Sequence, residues 1–247
     1  MASSDATQLQ PAPEKHVVLQ AFELLNGFTS PGRSIEVTDN ALQFAQLYKR
    51  AVFVERGLMC WEMANVASKI SDPRILSALA GFAFDAYNLL PDEARRSYST
   101  HLSMGILECQ YPNDPNAKGS AVENCHAYAV ELWIRGILTD DAPFVQAMRL
   151  AFEEVHANEE EQLPYLRTAA KWLTRAGNAI AQRIHAGATS GGAACRGYSS
   201  GPRYPGIQKL DKHRWMFWKQ TLETRIADGI ADGYISRAAT RMRCFHE

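Results

Sequence analysis

Apolar side chains recur along this chain every three or four residues, the spacing that lines one face of an α-helix. One such stripe runs through Met59, Met63, Val66 and Ile70. Leu58 and Trp61 lie beside it. Strict alternation of apolar and polar residues, which is typical of strands, does not extend over any convincing stretch of the sequence. The pattern predicts an all-α protein, a single-domain irregular helical bundle or array of about nine helices.

Residues that favour helix starts mark several of the predicted boundaries. Asp72 places a side-chain acceptor at an N-cap, and Pro73 lacks only a donor that the first helical position does not use. Ser120 and Glu123 have the spacing of a capping box. A single long helix is predicted over 164–184, where apolar residues keep the helical period.

Two segments depart from the helical pattern. Residues 1–13 are mostly polar and include two prolines, so we expect a disordered N-terminal tail before a helical domain over 14–247. Residues 187–206 contain six of the 16 glycines and two prolines. This composition predicts a flexible loop, which is either an insertion over a pocket or a plain connection.

The charge and cysteine content exclude several classes of protein. The 247 residues include 26 basic and 27 acidic side chains, a balance that disfavours nucleic-acid binding. We expect no secretory signal, because the first residues include no basic segment and no apolar core, and the sequence contains no apolar run long enough to span a membrane. Its five cysteines are scattered and odd in number, which is typical of a reducing compartment. We therefore predict a cytoplasmic location.

The sequence lacks several common catalytic and cofactor motifs, including Gly-rich phosphate loops and the zinc-protease helix. Two Glu-x-x-His pairs, Glu123 with His126 and Glu153 with His156, have the spacing of di-iron carboxylate sites. We reject a metal site, because Glu123 has a capping role and Glu153 is predicted on an exposed helix flank. No metal and no cofactor are predicted.

Tryptophan is concentrated in the helix that follows Asp211. Trp215 and Trp218 are three residues apart and share a helix face. The simpler interpretation makes them core anchors. The functional alternative places both indoles and Arg214 in a ligand-binding cleft beneath the Gly-rich loop, with Trp133 and Trp172 completing an aromatic lining.

The stretch Arg214-Trp215-Met-Phe-Trp218-Lys219 resembles the C-terminal motif of an all-helical filamentous-fungal family known as a numbered domain of unknown function. The Ala238–Met242 segment and the Ala169-Ala170-Lys171-Trp172 segment also fit that family. The resemblance covers about residues 30–245 and departs within 187–206. It implies a helical fold and, because members are often encoded beside secondary-metabolite pathways, an accessory role in such a pathway.

Two hypotheses follow for the function. In the first, the protein is an accessory module that holds a protein partner or an apolar small molecule in an exposed groove. In the second, it is a cofactor-free enzyme of a biosynthetic pathway with an aromatic-lined pocket. The burial of the tryptophans and the presence of a cavity distinguish the two.

Overall fold

The computed structural model describes residues 16–30, 37–109, 118–186, 199–206, 209–229 and 232–243. Within these ranges the chain forms eleven helices and no strand, which confirms the all-α class. The helices are α1 (Val17–Asn26), α2 (Val37–Arg50), α3 (Phe53–Lys69), α4 (Pro73–Asn88), α5 (Asp92–Cys109), α6 (Lys118–Ile134), α7 (Ala142–Phe152), α8 (Glu159–Arg175), α9 (Gly177–His185), α10 (Lys212–Ala227) and α11 (Gly233–Arg243). The predicted number of about nine was slightly low.

One reason for the difference is that the single helix predicted over 164–184 is two helices. α8 ends at Arg175, and α9 begins two residues later at Gly177. α8 also starts earlier than predicted, because Asn158 caps it by accepting the amide hydrogen of Glu161 at 2.9 Å. The acidic run 159–161 is therefore its first turn, where carboxylates interact favourably with the helix dipole.

The predicted helix starts had mixed outcomes. Asp72 accepts the amide hydrogen of Arg74 at 2.8 Å, so this N-cap is confirmed. The capping box at Ser120 and Glu123 is wrong, because α6 already begins at Lys118. Glu123 instead pairs with Lys171 of α8, with 3.0 Å between Oε2 and Nζ.

α3 and α5 form the most extensive helix pair in the first half of the chain. Gly105 of α5 permits their close approach, because a Cβ there would lie 2.9 Å from the Cα of Trp61. The stripe predicted from Met59 to Ile70 is buried in the core. Leu58 and Trp61, on the adjacent face of α3, remain exposed to solvent.

The second half of the chain is built around α7 and α8, which pack against α6, α10 and α11. The predicted tail 1–13 and residues 187–198 of the predicted loop lie outside the described residues. Within the described ranges, none of the helices is long and apolar enough to cross a membrane.

Candidate functional site

The four tryptophans predicted to line a ligand site come together around Phe144 of α7. The ring centroid of Phe144 lies 5.8 Å from that of Trp172, 5.7 Å from that of Trp218 and 6.4 Å from that of Trp215. Trp133 joins the cluster through an edge-to-face contact with Trp172 at 6.5 Å. Residues from α6, α7, α8 and α10 therefore form one aromatic cluster, as the pocket hypothesis requires.

This aromatic cluster is densely packed. Trp172, Trp215 and Trp218 are buried, whereas Trp133 is half-buried. The indole N–H of Trp172 donates to Nδ1 of His126 at 3.1 Å, so its polar edge is also used inside the fold. These contacts give the tryptophans a structural role, and their predicted ligand contacts stay a prediction.

Arg214, the remaining predicted site residue, forms a buried ion pair with Glu153. Its Nε and Nη2 donate to the two carboxylate oxygens of Glu153 at 2.7 and 2.9 Å, and both side chains are 0% exposed. Trp218 donates its indole N–H to the same carboxylate at 2.7 Å. The Arg214 and Trp218 of the C-terminal motif thus converge on one acidic side chain.

Residues 199–206 close over this ion pair. The amide of Gly201 donates to Glu153 Oε2 at 2.8 Å, and the amide of Arg203 donates to the Glu153 carbonyl at 2.9 Å. Arg214 donates to the carbonyl of Ser199 at 3.0 Å. The Glu153 carboxylate thus accepts four hydrogen bonds, two from Arg214 and one each from Trp218 and Gly201. These bonds stabilise its buried charge and join α7 to α10 and to residues 199–206.

A second buried carboxylate lies at the start of α7. Asp141 is 1% exposed, and its Oδ1 lies 2.9 Å from Nη1 of Arg183. The Arg183 guanidinium also lies 6.0 Å from the ring centroid of Trp133. Burial raises the pKa of Asp141 to about 6, although the Arg183 charge opposes the shift. This carboxyl group can therefore exchange a proton near neutral pH.

The exposed face of the α3–α5 pair contains an apolar groove of about 340 Å³. We call this feature the α3–α5 groove, and its lining residues are Val54, Gly57, Leu58, Trp61, His101, Met104, Gly105 and Glu108. His101 is buried at its base, where Nδ1 hydrogen bonds with the hydroxyl of Tyr48 at 3.0 Å.

Large apolar side chains surround the groove and remain in solvent. Those that are exposed on this face are Phe53, Val54, Leu58, Trp61 and Met104. Phe53 is 72% exposed even though its ring contacts His101, with 4.8 Å between centroids. Isolated exposed apolar residues are ordinary, but a group of five around one groove is typical of a binding surface.

Comparison with known protein families gives a match to the family described as Protein of unknown function (DUF3632) over residues 56–222. The matched region is more than half of the chain. This chain belongs to the DUF3632 family. Searches of curated proteins and of solved structures gave no match.

The DUF3632 match includes the helices that form the α3–α5 groove and the helices that form the aromatic cluster. It spans nearly all of α3, all of α5, the aromatic cluster and the ion pair between Glu153 and Arg214. It ends at Leu222 and therefore excludes α11. The match agrees with the predicted numbered domain of unknown function.

The Glu153–His156 pair of this DUF3632 member does not lie within a helix, unlike the Glu123–His126 pair, which lies in α6. The predicted exposure of Glu153 is wrong, because its carboxylate is buried, and α7 already ends at Phe152. His156 contacts the carbonyl of Leu150 through Nε2 at 2.7 Å. Across the part of the chain that the structure describes, no three His, Cys, Asp or Glu side chains are grouped as metal ligands.

Sequence reasoning missed the central role of Glu153 and the exposed groove. Glu153 lies between an apolar stripe and a polar run, and its partner Arg214 is 61 residues away. A local signal did exist for the groove, because Val52, Phe53 and Val54 form an apolar run at the start of α3. An amphipathic surface helix seldom begins with three consecutive apolar residues.

Proposed function

We propose that this protein is a cytoplasmic accessory factor in fungal secondary-metabolite biosynthesis, and that it acts by holding an apolar segment of a partner protein. The observation that supports this proposal is the α3–α5 groove with its surrounding exposed apolar side chains. The tryptophans that could have lined a ligand pocket are mostly packed in the core, so the groove is the more accessible apolar surface.

The shape of the groove favours a helical segment as its occupant. Val54, Leu58 and Trp61 are spaced along α3 so that their side chains follow one line, and Met104 and Glu108 do the same on α5. Two parallel ridges of this kind accept a third helix whose apolar residues recur every three or four positions.

The charge at the groove restricts the occupant further. Burial lowers the pKa of His101, with a smaller effect from Arg56, so the base of the groove carries a neutral imidazole at pH 7. The exposed Glu108 gives the rim a negative charge. The partner we propose is therefore an amphipathic helix with apolar anchors and a basic residue that faces Glu108.

The fungal and pathway parts of the proposal are supported by the Arg214–Lys219 resemblance, whose family is often encoded beside such pathways. Membership of the DUF3632 family agrees with that resemblance without assigning an activity. The accessory role is also consistent with the lack of a Gly-rich phosphate loop and of a zinc-protease helix in the sequence.

The test replaces the chromosomal gene with variants in the organism that encodes it and profiles the metabolites. Leu58→Asp places a charge in the groove, and Leu42→Asp on α2 is a matched control because both leucines are 45% exposed. We expect Leu58→Asp to reproduce the metabolite profile of a gene deletion and Leu42→Asp to retain the wild-type profile. Equal profiles for both variants, with both proteins folded by circular dichroism, would contradict the proposal.

A second candidate function, a cofactor-free enzyme, is favoured by one observation. Asp141 has a raised pKa and lies with Arg183 near the half-buried indole of Trp133, an arrangement that can serve acid–base chemistry. In this candidate the predicted residues Trp133, Trp172, Arg214, Trp215 and Trp218 orient an apolar substrate. A pathway metabolite that raises the melting temperature of the wild-type protein but not of Trp133→Ala would support it, and no shift with any metabolite would count against it.

A further inference from the structure

Two cysteines meet where α5 packs against α6. Cys109 is the last residue of α5, and Cys125 lies on α6. The thiol of Cys125 points at the last turns of α5, where its Sγ lies 3.9 Å from the carbonyl oxygen of Ile106. Ile106 and Cys109 are one helical turn apart on α5, and the thiols of Cys109 and Cys125 are near enough for each to shift the pKa of the other.

The environments of the two thiols differ in a way that suits different chemical roles. The hydrogen bond from Cys125 lowers the pKa of Cys109, aided by Lys69 and opposed by burial, Glu108 and Glu62. Cys125 is fully buried, and its pKa is raised by the same hydrogen bond and by burial. Cys109 is thus a partly exposed thiol that ionises more readily, and Cys125 is a sheltered thiol beside it.

We propose that Cys109 and Cys125 are a modification site for hydroperoxides and form a reversible intramolecular disulfide. The Cys109 thiolate attacks one peroxide oxygen, so an S–O bond forms, the O–O bond breaks, and the leaving oxygen takes a proton to give water or an alcohol. The sulfur becomes a sulfenic acid as the peroxide is reduced. Cys125 then attacks that sulfur, an S–S bond forms, and the hydroxide leaves with the Cys125 proton as water.

Cys60 provides an internal comparison within the same protein. It is completely buried in α3, and burial raises its pKa well above the usual value for a thiol. A thiol of this kind is protonated and shielded, so it reacts slowly with peroxides. The site shares α5 with the α3–α5 groove, but its chemistry requires no partner in that groove.

The test uses the full-length protein with Cys195→Ser and Cys244→Ser, which leaves Cys60, Cys109 and Cys125 as its thiols. After treatment with a small excess of hydrogen peroxide, we expect the intact mass to fall by two hydrogen atoms. Peptide mapping should then link Cys109 to Cys125, leave Cys60 alkylatable, and show that dithiothreitol reverses the change. The proposal would be overturned if Cys109 and Cys125 both remained alkylatable after the peroxide treatment, or if the disulfide joined two chains.

Variants at position 125 separately test Cys125 as the thiol that resolves the sulfenic acid and as the group that lowers the pKa of Cys109. In Cys125→Ser the sulfenic acid at Cys109 has no resolving thiol, so dimedone should trap it. Alkylation of Cys109 at pH 7 should be about three- to tenfold slower in Cys125→Ala, and Cys125→Ser should restore part of the rate because its hydroxyl is a donor. Equal alkylation rates in the wild-type protein, Cys125→Ser and Cys125→Ala would show that Cys125 does not activate Cys109.

Discussion

The Glu153 carboxylate and the Arg214 guanidinium form a two-point ion pair in which neither side chain reaches solvent. Glu153 caps the end of α7, and Arg214 lies in the first turn of α10. The pair therefore joins two helices that are distant in sequence, and residues 199–206 complete its hydrogen bonds. Buried pairs of this kind are costly to break because the remaining charge has no solvent.

The first prediction concerns the loss of one member of this pair. We expect Glu153→Ala to lower the free energy of unfolding by about 3–5 kcal/mol, because it leaves the Arg214 charge buried without its carboxylate. Urea denaturation measures the change. Asp92→Ala is the control, since Asp92 is 94% exposed in its pair with Arg95 and should cost less than about 1 kcal/mol.

Removing both charges distinguishes an unpaired charge from simple loss of packing. We expect the double variant Glu153→Leu with Arg214→Met to be more stable than either single substitution, because no isolated charge then remains buried. If the two single effects simply add in the double variant, the charges do not interact and this account of the pair is wrong.

Most of the fold could be predicted from sequence, but the environment of Glu153 could not. Helix positions depend on local periodicity and caps such as Asp72, which a short window of sequence contains. A glutamate is usually assigned to the surface, and only a partner 61 residues away reverses that assignment. The motif beginning at Arg214 is recognisable in the sequence, whereas Glu153, the carboxylate that accepts its hydrogen bonds, is not.

The α3–α5 groove shows a similar limit. Periodicity shows that α3 has a buried stripe at Met59 and Met63 and a second apolar face at Leu58 and Trp61. Which of the two faces is covered depends on how α5 docks, and Gly105 sets that docking through a contact with Trp61. Such contacts between distant segments leave no trace in the local pattern.

The second prediction tests the two tryptophans as hydrogen-bond donors. Trp218 and Trp172 are both fully buried, but Trp218 donates to a carboxylate and Trp172 to an imidazole. Replacing each by Phe removes a similar ring area and one N–H donor. We expect Trp218→Phe to lower the free energy of unfolding by about 1 kcal/mol more than Trp172→Phe, because hydrogen bonds to charged groups are stronger. Equal losses in urea denaturation would contradict this difference.

The third prediction concerns the close contact at Gly201. A Cβ at this position would lie 2.7 Å from the Glu153 Cβ and 2.8 Å from its carbonyl oxygen. Gly201→Ala should therefore lower the melting temperature by several degrees, since the segment must move away from Glu153. Gly81→Ala in α4 is the matched control, because nothing lies within 4 Å of its Cβ position and alanine favours the helix. We expect the control to keep or raise the melting temperature.

The last prediction follows from the raised pKa of Asp141, which is about 6 in the folded protein against 3.8 for the ordinary group. Between these values the folded state binds more protons than the unfolded state, so this carboxyl group lowers stability as the pH rises from about 4 to about 6. Asp141→Asn removes that dependence. The stability of Asp141→Asn relative to the wild-type protein should therefore increase by about 1–3 kcal/mol between pH 4 and pH 7.

Denaturation series at several pH values measure this difference, and its pH dependence is the decisive quantity because a constant offset reflects packing alone. Arg183→Gln supplies an independent check. Without the guanidinium that favours the charged form, the pKa of Asp141 should rise further, and the loss of stability should extend to higher pH. A difference between Asp141→Asn and the wild-type protein that stays flat from pH 4 to pH 7 would show that Asp141 does not titrate in this range, and the acid–base candidate function would lose its support.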